Sequence, residues 1–264
     1  MISVHKIVSY VKNIIFTMFK IQTYMDIKEI SSGVDQNTHW YYQSKKIPLL
    51  NYFESLSTSI KYDIIDVGSG TGFFAEEILR TFPDKINKCY LIDSEYSEDE
   101  IKKSENTLLI KLNKIPNVIS NSLVVMMDVL EHLEDDKKML DNIKSNALGE
   151  NYFFITVPAF KILWSAHDEY LCHFRRYTIL SLKKVLVNSN YKISLIYYLY
   201  GILFPLVWIS RKVSNLMLSK DVKSEMKATH PFLNKILFSI CRFDANYLTR
   251  NKLMGITCIA YGKI

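Results

Sequence analysis

Residues 62–75 read YDIIDVGSGTGFFA and combine an apolar run, an acidic residue and a glycine-rich turn. The apolar run ends at Asp66, glycines follow at Gly68, Gly70 and Gly72, and a helical pattern begins after them. This order is typical of a buried parallel strand, a tight loop and a helix N-terminus. Glycine lets the backbone approach a ligand closely, and the first helical turn offers N–H groups to an anion. The segment therefore predicts a cofactor pocket.

The spacing of the glycines bears on which cofactor is bound. A dinucleotide fingerprint needs a third glycine three residues after the second, and Phe73 occupies that position. The sequence DVGSGTG instead resembles the first motif of class I S-adenosylmethionine (SAM) dependent methyltransferases. The resemblance implies that Asp66 and the loop after it, including Ser69 and Thr71, bind the methionine and ribose end of SAM. A glycine turn without a ligand is the alternative.

A second apolar run, KCYLID, ends in Asp93 about twenty residues after the glycine loop. At this spacing a carboxylate accepts hydrogen bonds from the ribose hydroxyls of a bound nucleotide. We assign that role to Asp93 and place Ser94 beside it in the cofactor site. The alternative is an Asp that begins a loop or caps a helix, since SEYSEDE follows.

The third landmark, LVVMMDVLEHLEDD at 123–136, indicates a buried strand followed by an acidic helix start. DVLEHLEDD resembles the segment after the fourth strand of small-molecule and lipid methyltransferases of this class. The resemblance implies that Asp128, Val129 and Leu130 line the methionine side of SAM and that His132 lies near the transferred methyl group. The alternative is a strand and a helix cap, with acidic side chains at the positive end of the helix dipole.

The fourth landmark is an acceptor loop at 158–178, PAFKILWSAHDEYLCHFRRYT. It resembles a methyltransferase subgroup that carries Leu-Trp-Ser, His-Asp-Glu and His-x-Arg-Arg-Tyr in this order. Open α/β sheets place ligands beyond the carboxyl ends of their strands, and this segment follows a predicted strand. His is a natural base near neutral pH, and adjacent Arg side chains bind anions in a bidentate manner. The candidate catalytic residues here are His167, Asp168, His173, Arg175 and Arg176.

Two other interpretations of the acceptor loop are open. In the first, Arg175 and Arg176 pair with Asp168 and Glu169 and so hold the loop in place. In the other, His167, Asp168 and His173 bind a metal ion, but their spacing fits no standard ligand pattern. We therefore expect no metal site.

Composition favours one large α/β domain. The chain has 264 residues, 48% hydrophobic and 23% charged, which is typical of a globular protein with a substantial core. Its four cysteines form no CxxC pair and indicate reduced thiols in a cytoplasmic setting. The N-terminus lacks the features of a secretory signal.

Charge and apolar segments raise the question of partners. Residues 201–264 carry ten Lys or Arg against three Asp or Glu, which suits an anionic acceptor or membrane surface. No nucleic-acid recognition motif is present, so we expect no nucleic-acid partner. Residues 1–21 show the stripe of an amphipathic helix. The uncharged run at 193–209 is at the lower limit for a span, roughly 17–25 residues, and we interpret it as a strand followed by a helix from about Phe204.

The complete pattern predicts a Rossmann-like, doubly wound sheet of seven strands, mostly parallel with an antiparallel final strand. The strands are expected at 62–67, 88–93, 107–111, 122–128, 151–157, 191–200 and 253–261. We divide the chain into an N-terminal helix and cover, 1–37, and a methyltransferase domain, 38–264, with a basic and apolar part at 201–250. The stretch HWYYQSKK at 39–46 resembles the aromatic N-terminal cover of these methyltransferases, with Lys45 and Lys46 where Arg is usual.

The sequence thus predicts a SAM-dependent methyltransferase with a small-molecule, lipid-linked or glycan acceptor, methylated at oxygen or carbon. We expect the protein in the cytoplasm, with contact to the inner face of the membrane kept as an alternative. Two rival functions are a nucleotide-dependent oxidoreductase or epimerase and a non-catalytic scaffold with the SAM-binding fold.

Overall fold

The computed structural model describes residues 34–216 and 230–264. The predicted amphipathic helix at 1–21 and almost all of the predicted cover at 1–37 lie outside the described residues. The strands are β1 (Tyr62–Val67), β2 (Ile86–Ile92), β3 (Leu109–Leu112), β4 (Ile119–Met127), β5 (Ala147–Pro158), β6 (Lys192–Leu199) and β7 (Thr257–Lys263). The helices are α1 (Trp40–Ser55), α2 (Phe73–Thr81), α3 (Glu98–Ser104), α4 (Asp136–Asn146), α5 (Ala166–Tyr170), α6 (Ile179–Asn188), α7 (Phe204–Leu216) and α8 (Pro231–Tyr247).

The seven strands form one sheet in the order β3-β2-β1-β4-β5-β7-β6. Neighbouring strands from β3 to β5 are parallel, while β7 runs antiparallel to both β5 and β6. The predicted doubly wound sheet with an antiparallel final strand is therefore confirmed. Because β1 lies between β2 and β4, the loops after these three strands meet at one edge of the sheet.

Helices cover both faces of the sheet, which explains why the central strands are continuous apolar runs. One buried cluster joins β1 and β4 to α1, α2 and α8, and contains Trp40, Phe53 and Leu237. The other joins the opposite face to α4 and α6 and contains Leu140 and Leu186. α1 is tied to α2 by an ion pair from Lys46 to Glu77 at 2.7 Å.

Two C-terminal segments clarify the sequence interpretation. The run at 193–209 is part of strand β6 followed by helix α7 from Phe204, as predicted. The last strand begins at Thr257 rather than 253, because Asn251 holds the preceding residues in a loop: its side-chain amide donates to the Met254 carbonyl at 2.6 Å. Among residues 34–216 and 230–264, no helix has the length and apolarity needed to cross a bilayer.

Replacing Gly262 by Ala should destabilise the sheet strongly. A Cβ at this position in β7 would lie 2.0 Å from the Lys192 carbonyl oxygen of β6. Because that neighbour is backbone, the two strands must separate, and we expect a loss of at least about 2 kcal/mol in the free energy of unfolding.

The matched control is Gly149→Ala, measured in the same urea denaturation series. Its Cβ would meet nothing closer than the Ser120 hydroxyl at 3.9 Å, although its φ is +71°. We expect a cost of about 1 kcal/mol from the backbone alone. Equal stability of the two variants would contradict the close approach of β6 and β7.

Candidate cofactor and acceptor site

The carboxyl ends of β1, β2 and β4 bring three predicted landmarks together. The glycine loop follows β1, Asp93 follows β2, and Asp128 follows β4. The loop is held to β2 because the N–H groups of Gly68 and Ser69 both donate to the Ile92 carbonyl, at 2.8 and 3.1 Å. The predicted strand, loop and helix at 62–75 thus exist, with the loop at the edge where α/β sheets bind ligands.

Two of the three loop glycines combine a positive φ with a site too crowded for a side chain. Gly68 has φ +67° and Gly72 has φ +85°, a region that other residues rarely adopt. A Cβ on Gly68 would lie 2.7 Å from a methyl of Val129, and one on Gly72 would lie 2.7 Å from a methyl of Leu91. The loop therefore packs directly against β2 and against the segment after β4, and these contacts fix its position at the edge of the sheet.

Asp93 turns its carboxylate toward the loop. Its Oδ2 accepts the Gly70 N–H at 3.0 Å, and its Oδ1 accepts the Glu95 N–H at 3.0 Å. Tyr96 supports the same loop, since its hydroxyl donates to the Gly70 carbonyl at 2.7 Å. A carboxylate offers about four lone-pair sites, so Asp93 retains capacity for ligand hydroxyls. The neighbouring Ser94 is exposed.

Asp66 lies beneath the loop rather than at its surface. The residue is buried, and its carboxylate accepts a backbone hydrogen bond from Ala75 in the first turn of α2. Burial raises the pKa of Asp66 to about 7, the Ala75 bond opposes the rise, and the negative charge of Asp93 adds to it. Its position joins the strand end to the helix start.

Asp128 is held in an unusual conformation by β5 and α1. Its φ is +57°, which costs energy in a non-glycine residue and persists only where surrounding contacts fix it. Thr156 of β5 supplies one set of contacts: its carbonyl accepts the Asp128 N–H at 3.0 Å and its hydroxyl donates to the carboxylate at 2.9 Å. From α1, Tyr41 donates to the carboxylate at 3.0 Å, and Lys45 forms an ion pair with it.

The Lys45–Asp128 pair places charge inside the protein. The Lys45 side chain is fully buried, and that of Asp128 is 17% exposed. Burial raises the pKa of Asp128, but the Lys45 ammonium and the hydrogen bonds outweigh it and hold the pKa below its usual value. The Asp128 carboxylate faces α1. The backbone of Asp128 and Val129 therefore lies on the side of the glycine loop. Leu130 is fully buried in the core beside this segment.

The described part of the N-terminal cover contacts the loop at Thr71. The Thr71 hydroxyl donates to the side-chain oxygen of Gln36 at 2.9 Å, and the amide of Gln43 in α1 donates to the Gln36 carbonyl at 2.9 Å. Gln36, just before α1, therefore links the glycine loop to this helix.

In the acceptor loop, Asp168 is the centre of a buried network. It accepts from Arg176 at 2.7 Å (Nε to Oδ1) and 3.0 Å (Nη2 to Oδ2), from His173 Nδ1 at 2.9 Å and from the Ser165 N–H at 2.9 Å. Burial raises the pKa of Asp168, but the His173 bond and the Arg176 charge together hold it far below its usual value. The internal ion pair considered for the arginines thus exists between Arg176 and Asp168.

Arg175 has different partners from those considered in the sequence. Its Nη1 lies 3.1 Å from a carboxylate oxygen of Asp136, and its Nη2 donates to the Glu134 carbonyl at 2.6 Å. Asp136 opens α4, so Arg175 ties the acceptor loop to the segment after β4. His167 is buried, and its ring centroid lies 6.3 Å from that of His173.

A second polar cluster lies between the acceptor loop and the segment after β4. The His132 and His173 rings meet edge to face, with centroids 4.5 Å apart. Glu131 is fully buried beside them, and each of the three residues offers one ligand atom within 4.8 Å of the others. Burial, together with the negative charge of Asp128, raises the pKa of Glu131 well above its usual value.

Sequence reasoning missed three members of this region. Tyr41 and Lys45 lie in α1, far from Asp128 along the chain, and Glu131 was included only as part of an acidic helix start. The one available signal was the pair Lys45 and Lys46, at positions where the methyltransferases that the sequence resembles have Arg. A cation fully buried on a helix needs a carboxylate partner, but the sequence does not say which.

Comparisons with known proteins concern the fold. No family model and no curated protein matches the sequence. The putative methyltransferase of Haloferax volcanii, solved in complex with the Trm112 activator, is similar with a TM-score of 0.50, 13% identity, and coverage of 86% of this chain and 89% of that one. A SAM-dependent methyltransferase from Archaeoglobus fulgidus has a TM-score of 0.49, 15% identity and coverage of 89% and 97%. The [4+2]-cyclase SpnF has a TM-score of 0.49, 13% identity and coverage of 87% and 84%.

The chain therefore shares its overall fold with the putative methyltransferase of the Trm112 complex. That fold is a sheet of seven strands in which β7 lies between β5 and β6 and runs antiparallel to both. Since one fold hosts several chemistries, the activity has to be argued from the site.

Replacing Asp66 by Asn should make stability less dependent on pH. The folded pKa of about 7 lies above the usual 3.8, so the folded state keeps its proton longer than the unfolded state. The stability that Asp66 contributes is complete below about pH 4 and is lost as pH rises to about 7. As pH rises from 5 to 8, we expect the free energy of unfolding of the Asn variant to increase by about 2–3 kcal/mol relative to that of the natural protein.

Urea denaturation at several pH values measures this difference, with Asp63→Asn as the control. Asp63 lies on the same strand and is only half-buried, with Asn87 as its hydrogen-bond partner at 2.8 Å. Its variant measures the effect of the same Asp-to-Asn change at a partly exposed position of β1. If the stability of the Asp66→Asn variant and of the natural protein changed with pH in the same way, the raised pKa of Asp66 would be contradicted.

Replacing Lys45 by Met should destabilise the protein because Asp128 then loses its counter-ion. We expect the free energy of unfolding to fall by about 3 kcal/mol, as when one partner of a buried ion pair is removed. The double variant Lys45→Met, Asp128→Asn contains no unpaired charge. Its loss of stability should therefore be at least about 1 kcal/mol smaller than the sum of the losses in the two single variants. Additive costs in the denaturation cycle would show that the two side chains do not interact.

Proposed function

We propose that the protein is a SAM-dependent methyltransferase that acts on a small-molecule, lipid-linked or glycan acceptor. One observation carries the proposal: the Asp93 carboxylate lies against the glycine loop, bonded to Gly70, with acceptor capacity to spare. This arrangement matches a site for an adenosyl ribose, whose two hydroxyls donate hydrogen bonds.

The residues around the loop divide into two roles. The backbone of Gly68, Ser69, Gly70, Thr71 and Gly72 forms the floor of the SAM site, with Asp93 and Ser94 at the ribose and the backbone of Asp128 and Val129 at the methionine side. Asp66 and Leu130 act by positioning these groups, since their side chains are buried beneath the site.

Methyl transfer needs alignment of the sulfonium carbon with the acceptor atom, and removal of a proton when the acceptor is a hydroxyl. His132 and His167 are the candidate bases. The Nδ1 of His132 lies 3.1 Å from the Leu171 carbonyl, which fixes the proton there and leaves Nε2 as the basic nitrogen. The transfer itself requires no further group from the enzyme.

Recognition of an anionic acceptor falls mainly to Arg175. The Arg176 side chain is 3% exposed and committed to Asp168, whereas that of Arg175 is 32% exposed. The positive charge of residues 201–264 supports an anionic acceptor, and exposed apolar side chains on α7 and α8, including Trp208 and Phe232, support a lipid-linked one at the inner face of a membrane.

Calorimetric titration with SAM and with NAD tests the cofactor. We expect SAM to bind and NAD not to bind, because the loop lacks the third glycine of a dinucleotide site. Asp93→Asn should weaken SAM binding by about 10-fold or more, since hydrogen bonds to a charged group are worth about 1.5–3 kcal/mol. The control Asp63→Asn should bind normally, and binding of NAD without SAM would overturn the proposal.

Turnover separates an enzyme from a scaffold. Extracts from cells with and without the protein are compared for molecules that gain a methyl group from labelled methionine. Once such an acceptor is found, replacing the true base, His132 or His167, by Gln should lower kcat by about 10²–10⁴-fold. SAM affinity should stay unchanged. If neither variant loses activity, proton removal occurs elsewhere or the acceptor is not a hydroxyl.

A further inference from the structure

We propose that Glu131, His132 and His173 bind a divalent first-row transition metal of the Zn²⁺ type. The three side chains come from two segments, the turn after β4 and the acceptor loop. The Phe174 N–H donates to the Glu131 carbonyl at 2.8 Å, which holds these segments side by side. The potential ligand atoms already lie within 4.8 Å of one another.

Glu131 is the strongest indication of a ligand. The residue has no solvent exposure, and neither carboxylate oxygen accepts a hydrogen bond from another residue in the described ranges, 34–216 and 230–264. A buried polar group without a partner costs about 1–3 kcal/mol, so proteins rarely keep one without a reason. A bound cation would satisfy the carboxylate where it stands.

Both imidazoles are oriented as metal ligands usually are. His173 Nδ1 lies 2.9 Å from the Asp168 carboxylate, and His132 Nδ1 lies 3.1 Å from the Leu171 carbonyl. Acceptors at these distances place the ring proton on Nδ1, so that Nε2 is the nitrogen that would bind a metal. The His173 Nε2 is buried and has no hydrogen-bond partner within the described part of the chain.

The donor set indicates which metals fit. Two imidazole nitrogens and one carboxylate oxygen suit Zn²⁺ or Fe²⁺, whereas Mg²⁺ and Ca²⁺ prefer oxygen ligands throughout. Ligand bonds of about 2.1 Å bring ligand atoms to about 3.4 Å from one another, so the side chains must move inward on binding. Three protein ligands leave a fourth position for water or an oxygen of the acceptor.

This site departs from the sequence expectation of no metal. The metal-binding set considered there was His167, Asp168 and His173. The structure instead places Asp168 behind His173, as the carboxylate that orients the imidazole, and brings Glu131 and His132 in from the other segment. On the proposed function, the metal would make His132 a ligand and leave His167 as the candidate base.

Metal binding is measured on the untagged full-length chain after treatment with a chelator, in the absence of SAM. We expect one equivalent of Zn²⁺ by elemental analysis and calorimetry, with a dissociation constant in the micromolar range or below. Co²⁺ should give a visible absorption band that Zn²⁺ removes. Since neither readout uses SAM or turnover, the result is independent of whether methyl transfer is the correct function.

Variants identify the ligands. Glu131→Gln and His173→Asn should each weaken binding by at least 30-fold, and Asp168→Asn, which acts on the His173 ring, by about 10–100-fold. The controls Glu150→Gln and His230→Asn change an exposed carboxylate and an exposed imidazole and should bind as the natural protein does. Zn²⁺ should raise the Tm of the natural protein and of the controls, but not that of Glu131→Gln.

The proposal is overturned if the natural protein binds neither Zn²⁺ nor Co²⁺ at 100-fold excess. It is also overturned if Glu131→Gln and His173→Asn, with cooperative unfolding that shows them folded, bind as tightly as the controls. The Co²⁺ spectrum of the natural protein needs no variant, so a variant that fails to fold leaves the test intact.

Discussion

Parallel pairing of β1 with β2 and with β4 is the constraint on which the site depends. It brings three strand ends to one edge, so that the glycine loop, Asp93 and Asp128 become neighbours although they are far apart in the chain. The loop is then fixed by contacts that only this arrangement supplies. Gly68 packs against Val129, and Gly70 donates to Asp93. A change of register in either pair would move the loop away from both partners.

Two buried ion pairs also organise the region around the carboxyl ends of the strands. Lys45 of α1 neutralises Asp128 after β4, and Arg176 neutralises Asp168 within the acceptor loop. Such pairs contribute little net stability when compared with apolar residues, but breaking one partner is costly. They therefore act mainly to hold α1 and the acceptor loop in one position over the strand ends.

Local patterns in the sequence were sufficient to predict the elements. The first strand at 62–67, the glycine loop, the antiparallel final strand and the strand-to-helix transition before Phe204 are all present. These features depend on neighbouring residues: apolar runs, glycine spacing and the position of an acidic residue after a strand. The roles of the predicted site residues remain proposals, since the fold alone does not establish them.

Contacts between distant segments could not be predicted in the same way. Nothing local to Lys45 indicates that Asp128 is its partner, and Arg175 was paired with Asp168 or Glu169 in the sequence interpretation but contacts Asp136. Similarly, Glu131 belongs to an acidic stretch that is typical of a helix start, and only the packing shows that its side chain is buried. Tertiary packing decides which of several polar side chains meet.

The most direct test is a crystal structure with S-adenosylhomocysteine bound. The account predicts the adenosyl group over residues 68–72, with both ribose hydroxyls within hydrogen-bond distance of the Asp93 carboxylate. A ligand bound elsewhere, or a ribose that leaves Asp93 bonded only to Gly70 and Glu95, would contradict it.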